Sequence, residues 1–306
     1  MEREPIAVLL MAYGGPLSLA DVEPYLRDIR GGRPTSPALV EEVRARYARI
    51  GGRSPILELT QAQARGVGDA LGPGFRVFVG MRHWHPYIAA AVEDIVAAGL
   101  HRVVGIVMAP HYAGMSVGAY ETQLLQAADG RLDTALVRSW WAEPPFLEAI
   151  AGRIIQALQR FPRPAGVAVI FSAHSLPQRI LAAGDPYPEE LRASAAEVAQ
   201  RARLAPEHWQ VAYQSAGATP EPWLGPDVSE VIEKLSAQGR DAALLVPIGF
   251  VCDHVEILYD VDIEYQEVAR RLGIRLERTA SLNDDAGLVA AVAGVAQRTV
   301  RQKGWL

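Results

Sequence analysis

With one cysteine, Cys252, among 306 residues, the chain cannot be held by disulfides, carry a cysteine-ligated iron–sulfur cluster or build a cysteine-rich zinc site. The lone thiol is expected to be a small buried hydrophobe. Positive charge is also short: 35 Asp and Glu outnumber 30 Lys and Arg, giving a formal net charge of -5, and no basic stripe runs along the chain. Nucleic acid, which is bound by displacing counterions with Lys and Arg, is therefore excluded as the main partner. Long apolar runs are missing as well. The longest, 242–252, is broken by Pro247 and Gly249 and is about half a membrane span. The opening Met1-Glu2-Arg3-Glu4-Pro5 lacks the positive start of a signal peptide, so a first strand is expected there, in a soluble, cytoplasmic protein without a stable membrane anchor. Nucleotide fingerprints are absent too. Gly14-Gly15-Pro16 is not continued as G-x-G-x-x-G, and no G-x-x-x-x-G-K-[ST] occurs.

What is present is a globular composition, 50% hydrophobic and 21% charged, with length enough for two ordinary domains. Strand-like runs recur at 6–12, 75–79, 103–109 and 134–137, with helical periodicity between them. After a break at Phe161-Pro162-Arg163-Pro164 a second series follows at 167–171, 209–214, 242–248 and 274–279. Residues 8–16 also align by type with 169–177, each a strand ending in a polar ring and a proline, and 103–112 parallels 242–252. The expected fold is α/β: two similar Rossmann-like lobes, 1–162 and 163–306, each a parallel sheet flanked by helices, with the site cleft between them. The C-terminal helix is left free to pack back on the first lobe.

The chemistry concentrates where two of these runs end. Ser172-Ala173-His174-Ser175-Leu176-Pro177 follows one, and Asp253-His254-Val255-Glu256 follows another. Strands buried on both faces deliver their carboxyl ends to one crevice, so His174 and Glu256 are expected to meet there, a geometry that suggests a metal site. Glu256, Asp260 and Glu264 recur at steps of four in a helical stretch, a spacing that advances a helix by about 6 Å and 400° and stacks like charges on one slowly turning face. A solvated acidic face is the plain explanation. The row begins beside a buried strand end and is interleaved with Ile257, Leu258, Val261 and Ile263, so part of it is expected against protein, as an ion or proton path. Tyr13 is expected to face His174 across the cleft, with Ile29 and Met81 as further wall residues. His111, Trp140, Trp141 and Trp223 read as structural, and His101 and His208 as surface residues. His254-Val255-Glu256 has the H-x-E spacing of zinc deaminases without their downstream cysteine pair.

Several segments carry a resemblance. Met11-Ala12-Tyr13-Gly14-Gly15-Pro16, Arg46-Tyr47, Ile50-Gly51-Gly52-Arg53-Ser54-Pro55, the 172–177 segment, Gly184-Asp185-Pro186-Tyr187-Pro188, Gln214-Ser215, Pro222-Trp223-Leu224-Gly225-Pro226 and Gly249-Phe250-Val251 with 253–260 closely resemble ferrochelatases, in register from about residue 6 to about 280. Among them the chain is most similar to the short coproporphyrin III ferrochelatases of monoderm bacteria. The resemblance implies a lyase of haem biosynthesis that inserts ferrous iron into coproporphyrin III, with protoporphyrin IX as the alternative substrate. It further implies that His174 and Glu256 meet the metal and take the pyrrole protons, and that Tyr13 is an axial ligand of iron in the product. Arg30, Arg46, Tyr47, Ser54 and Tyr120 would hold the macrocycle and its propionates. His83 matches a family histidine near the cleft, where a structural hydrogen bond is its expected role. Gly31 stands where some relatives carry a second basic residue. No resident cofactor is implied, iron being a substrate; a secondary divalent cation such as Mg2+ at the acidic row and transient contact with neighbouring haem-pathway enzymes complete the expectations. A non-enzymatic porphyrin or haem carrier is the competing class, and it has no use for a proton acceptor or an acidic row. A metal-dependent hydrolase would need a histidine cluster that the sequence lacks.

Overall fold

The structure, a computed structural model, describes residues 4–217 and 219–306. Its strands are β1 (Ile6–Ala12), β2 (Phe75–Met81), β3 (Arg102–Val107), β4 (Asp133–Val137), β5 (Ala168–His174), β6 (Trp209–Gln214), β7 (Ala242–Val246) and β8 (Arg275–Arg278). They pair in parallel as two four-stranded sheets, β2-β1-β3-β4 and β6-β5-β7-β8. The same order in both halves is the structural counterpart of the likeness between 8–16 and 169–177.

The helices are α1 (Val22–Ile29), α2 (Pro37–Arg49), α3 (Ile56–Leu71), α4 (Ile88–Ala97), α5 (Val117–Ala128), α6 (Pro144–Leu158), α7 (Arg179–Ala182), α8 (Tyr187–Arg201), α9 (Val228–Ala237), α10 (Gln266–Arg271) and α11 (Ala286–Gln302). A π-helix, Glu256–Tyr265, runs directly into α10. Local signals account for several starts. Ser36 caps α2 ahead of Pro37, and Asp227 with Glu230 closes a capping box on α9.

Continuous apolar strands need both faces covered. In β1 the residues Ile6, Val8, Leu10 and Ala12 join one core cluster, while Ala7, Leu9 and Met11 join another beneath α4 and α5. In β5 the same split sends Val169 and Phe171 inward, and Ala168 and Ile170 toward α9, the π-helix and α10. Between the two sheets lies one shared layer built from α3, α6, α8 and α11. The last helix, α11, packs on α3 and α6 and touches β3 and β4, so the end of the chain completes the core of the first sheet. The Trp305 indole N–H then donates to Asp133 at 3.0 Å. No described helix is long and apolar enough to cross a membrane.

Candidate active site

His174 is the last residue of β5, and Glu256 opens the π-helix that follows β7. The loop between β7 and Glu256 lies tight against β5 because Gly249 has no side chain. A Cβ there would fall 2.5 Å from the Ala173 Cβ, and the Gly249 N–H donates to the Ser172 carbonyl at 3.1 Å. That approach brings His174 Nδ1 to 2.9 Å from Glu256 Oε2. The Tyr187 hydroxyl donates to the His174 carbonyl at 2.8 Å and fixes the strand end. Both side chains remain partly open to the cleft, 37% exposed for His174 and 28% for Glu256. Burial favours the neutral form of each, but their mutual attraction wins. The Glu256 charge, helped by Asp260, raises the His174 imidazole above its ordinary value, and His174 lowers the Glu256 carboxyl to about 2. The Glu256 carboxylate thus makes the His174 imidazole a stronger proton acceptor than an isolated histidine, and the 2.9 Å contact joins the two as one acid–base unit.

The acidic row does not follow α-helical geometry. Its i to i+5 bonding widens each turn, so residues four apart fall short of a full turn instead of overshooting it, and the three carboxylates meet three different surroundings. Glu256 faces the cleft. Asp260 is buried at 6% exposure and accepts a hydrogen bond from the Ser215 hydroxyl. Burial raises its carboxyl to about 7; Ser215 and Arg46 oppose the shift, and the charges of Glu256 and Glu264 add to it. Glu264, 43% exposed, lies at the rim 4.0 Å from Arg46.

The opposite wall rises from β1 and β2. Tyr13 is 40% exposed and stacks against His83 at 4.7 Å between ring centroids. Desolvation by the cleft walls raises its phenol to about 12, Arg82 opposing and Glu256 and Asp28 reinforcing the shift, so Tyr13 rests neutral. The His83 Nδ1 lies 2.8 Å from Asp28, which also accepts from the Tyr87 hydroxyl at 3.1 Å. Of the residues expected to hold a macrocycle, Arg30 is exposed and forms no ion pair among the described residues, whereas Tyr47, Ser54 and Tyr120 are buried at 2%, 4% and 3%. Gly31 adopts φ +63°, a left-handed conformation that accounts for glycine where a basic residue could stand. Arg46 is already engaged, 3.0 Å from Glu42 and 5.2 Å over the Tyr259 ring. Met81, expected to line the wall, is completely buried because its strand position turns it into the core, while Ile29 remains partly exposed.

Two features escaped sequence reading. The Arg82 guanidinium lies 5.4 Å over the Tyr120 ring, with Nε buried and unpartnered and no carboxylate paired with it among the described residues. Arg49 joins Arg46 over Tyr259 of the π-helix and pairs with Glu267 of α10 at 3.1 Å, clasping α2 to both. The only sequence signal for the first was an arginine next to His83; the second gave none, because the partners lie more than two hundred residues apart. Gln214, which the sequence offered only as part of a motif of resemblance with no role attached, is fully buried beside the histidine strand.

Elsewhere the side chains are structural. His111 is buried with Nε2 2.7 Å from the Ser194 hydroxyl, and burial lowers its imidazole to about 3. Cys252 is buried, its thiol raised by desolvation to about 12. His254 places Nδ1 2.9 Å from the Cys252 carbonyl, and Trp140 donates to the Val107 carbonyl at 2.9 Å. Among the described residues no three His, Cys, Asp or Glu side chains are arranged to hold a metal ion. A cation at the His174–Glu256 pair would draw its remaining ligands from water or from a bound macrocycle.

The ferrochelatase family model matches residues 5–300. The chain is 46% identical to a ferrochelatase of Herpetosiphon aurantiacus over 92% of this chain and 95% of the relative. It belongs to the ferrochelatase family. A coproporphyrin III ferrochelatase of Bacillus pumilus is 38% identical, over 96% of this chain and 97% of its own length. The structure of SirB from Bacillus subtilis with Fe3+ superposes with a TM-score of 0.62 at 12% identity, covering 98% of each chain, and shows the shared chelatase fold. The protein is accordingly a lyase-class metal chelatase of haem biosynthesis, acting on iron and a porphyrin. The carrier reading falls with that assignment.

Proposed function

We propose that the porphyrin is coproporphyrin III and that the reaction is insertion of ferrous iron at the His174–Glu256 pair, in the cytoplasm. The observation that carries the chemistry is the 2.9 Å contact between an imidazole and a carboxylate opening on one cleft. Metallation replaces two pyrrole protons by one dication, so it needs a base beside the ring and a route for protons to leave. In this reading His174 and Glu256 supply the base, Asp260 and Glu264 the route, and Tyr13 an axial oxygen for iron in the product. A secondary divalent cation at the outer end of the row belongs to the same reading, and dependence of the rate on added Mg2+ tests it. The substrate choice is supported by Arg30, exposed and without an ion pair among the described residues, and by Arg46 on α2, whose contacts with Glu42 and Glu264 a propionate would compete with. Coproporphyrin carries four propionates against two in protoporphyrin. Hydrogen bonds to charged groups are worth about 1.5–3 kcal/mol, so one additional good contact shifts specificity about tenfold or more. Relatives named coproporphyrin III ferrochelatases, 35–38% identical over nearly their whole lengths, support the same choice.

The test is anaerobic turnover of Fe(II) with each porphyrin at matched detergent and salt, repeated in Arg46→Ala. Coproporphyrin III is expected to have the higher kcat/KM, and the mutant to lose part of that preference. A preference for protoporphyrin IX would make it the substrate instead.

A further inference from the structure

We infer that Gln214 and Ser215 are positioning residues for iron insertion, setting the His174–Glu256 contact and the place of Asp260 behind it. This rests on the proposed use of the pair as proton acceptor. Gln214 ends β6, an edge strand, yet is 0% exposed. Its side-chain Oε1 accepts from the Ser172 hydroxyl at 2.8 Å, its Nε2 donates to the Glu256 carbonyl at 3.0 Å, and its backbone carbonyl accepts from the Ser175 N–H at 2.7 Å. One buried amide thus ties the residues flanking His174 to the backbone of Glu256, and the π-helix that Glu256 opens has no side-chain cap of its own. A buried polar link of this kind specifies a single arrangement when every partner is in place.

Ser215 adds a second link. Its φ of +57° lies in the left-handed region, where a non-glycine residue is strained, and its hydroxyl donates to Asp260 one π-turn beyond Glu256. A glycine would adopt this backbone without strain but leave the buried Asp260 oxygen without its donor. Local stability and the hydroxyl contact therefore pull in opposite directions at one residue, which makes the position diagnostic.

Ser215→Gly and Ser215→Asn separate the two effects, since asparagine tolerates the left-handed region and keeps a donor. In Ser215→Gly, kcat for Fe(II) insertion is expected to fall about tenfold, the loss of one hydrogen bond to a charged group, with porphyrin KM within about twofold and Tm not lowered. Ser215→Asn is expected to recover most of the rate. Gln214→Met, similar in shape without the hydrogen bonds, should lower kcat by at least as much with porphyrin binding retained, as read by fluorescence quenching. Unchanged kcat in Ser215→Gly, or a loss that comes with lower Tm and weaker porphyrin binding and is not recovered by asparagine, overturns the inference. Turnover in His174→Ala is run beside these variants. If it persists, the reading of the pair fails independently of what the Ser215 variants do.

Discussion

The Glu256 carboxylate favours a proton on the His174 imidazole. In the proposed reaction an arriving cation would compete with that proton for the same ring. Removing Glu256 leaves desolvation as the larger influence on His174. In metal-free protein the His174 titration, followed by NMR, is expected above the ordinary histidine value near 6.5 and to move below it in Glu256→Gln. In turnover, His174→Ala and Glu256→Gln should each remove most activity, with the double variant little worse, because the two act as one unit. A double variant slower by the product of the single losses would mean that they act separately. Across the cleft, Tyr13→Phe removes the phenol and leaves the pair intact. It should change the absorption spectrum of bound ferric product while a substantial rate remains, and an identical spectrum would place the hydroxyl away from the iron. His174 and Glu256 were legible as candidates because each follows a strand whose apolar run leaves no doubt of its burial. The occupation of Arg46 by Glu42 and Tyr259, and the burial of Met81, depend on tertiary neighbours and strand parity that the sequence pattern does not specify.

At the scale of elements, the π-helix decides how the acidic row behaves. An i, i+4 spacing suits both α and π bonding, so the sequence showed the row but not the inward turn of Asp260. The folded-state value of about 7 lies above the ordinary Asp range, so the folded protein keeps a proton that the unfolded chain has released. That contribution to stability is fully present below about pH 4, declines as pH rises through about 7, and is flat above. Glu256 has the opposite sign, its contribution being lost as pH falls through about 2. Asp260→Asn keeps a polar group facing Ser215 and removes the titration. Between about pH 4 and pH 8 its stability should gain on the parent by on the order of a few kcal/mol, measured by denaturant unfolding. Parallel pH profiles would mean that the carboxyl is solvated. Metallation in Asp260→Asn should slow less than in Glu256→Gln.

For the whole molecule, two parallel sheets flanked by helices were legible because duplicated, doubly covered strands leave a strong apolar trace; their strand order was not. That the final helix could pack back on the first lobe was an expectation from the sequence, but an amphipathic helix shows that one face is buried and not which neighbour buries it. In the structure that neighbour is α3 of the first half, with α6. Residues 1–162 expressed alone should therefore lack a cooperative unfolding transition and bind hydrophobic dyes, and adding residues 163–306 as a separate chain should restore cooperativity. A sharp transition from the first half alone would show that α11 is dispensable to it.

The shared layer between the sheets also constrains the order of events during synthesis. Leu288, Ala291, Val292 and Val300 of α11 belong to the same cluster as Ile6 and Val8, so the first strand made waits for the last helix before its inner face is fully covered. Long-range closure of this kind is slow, and it leaves apolar surface open on a nascent chain until α11 has been made. A domain that emerges first would ordinarily fold first. Here the N-terminal sheet depends on residues made only after the second sheet, so a product truncated before α11 would persist as an aggregation-prone intermediate and not as half an enzyme.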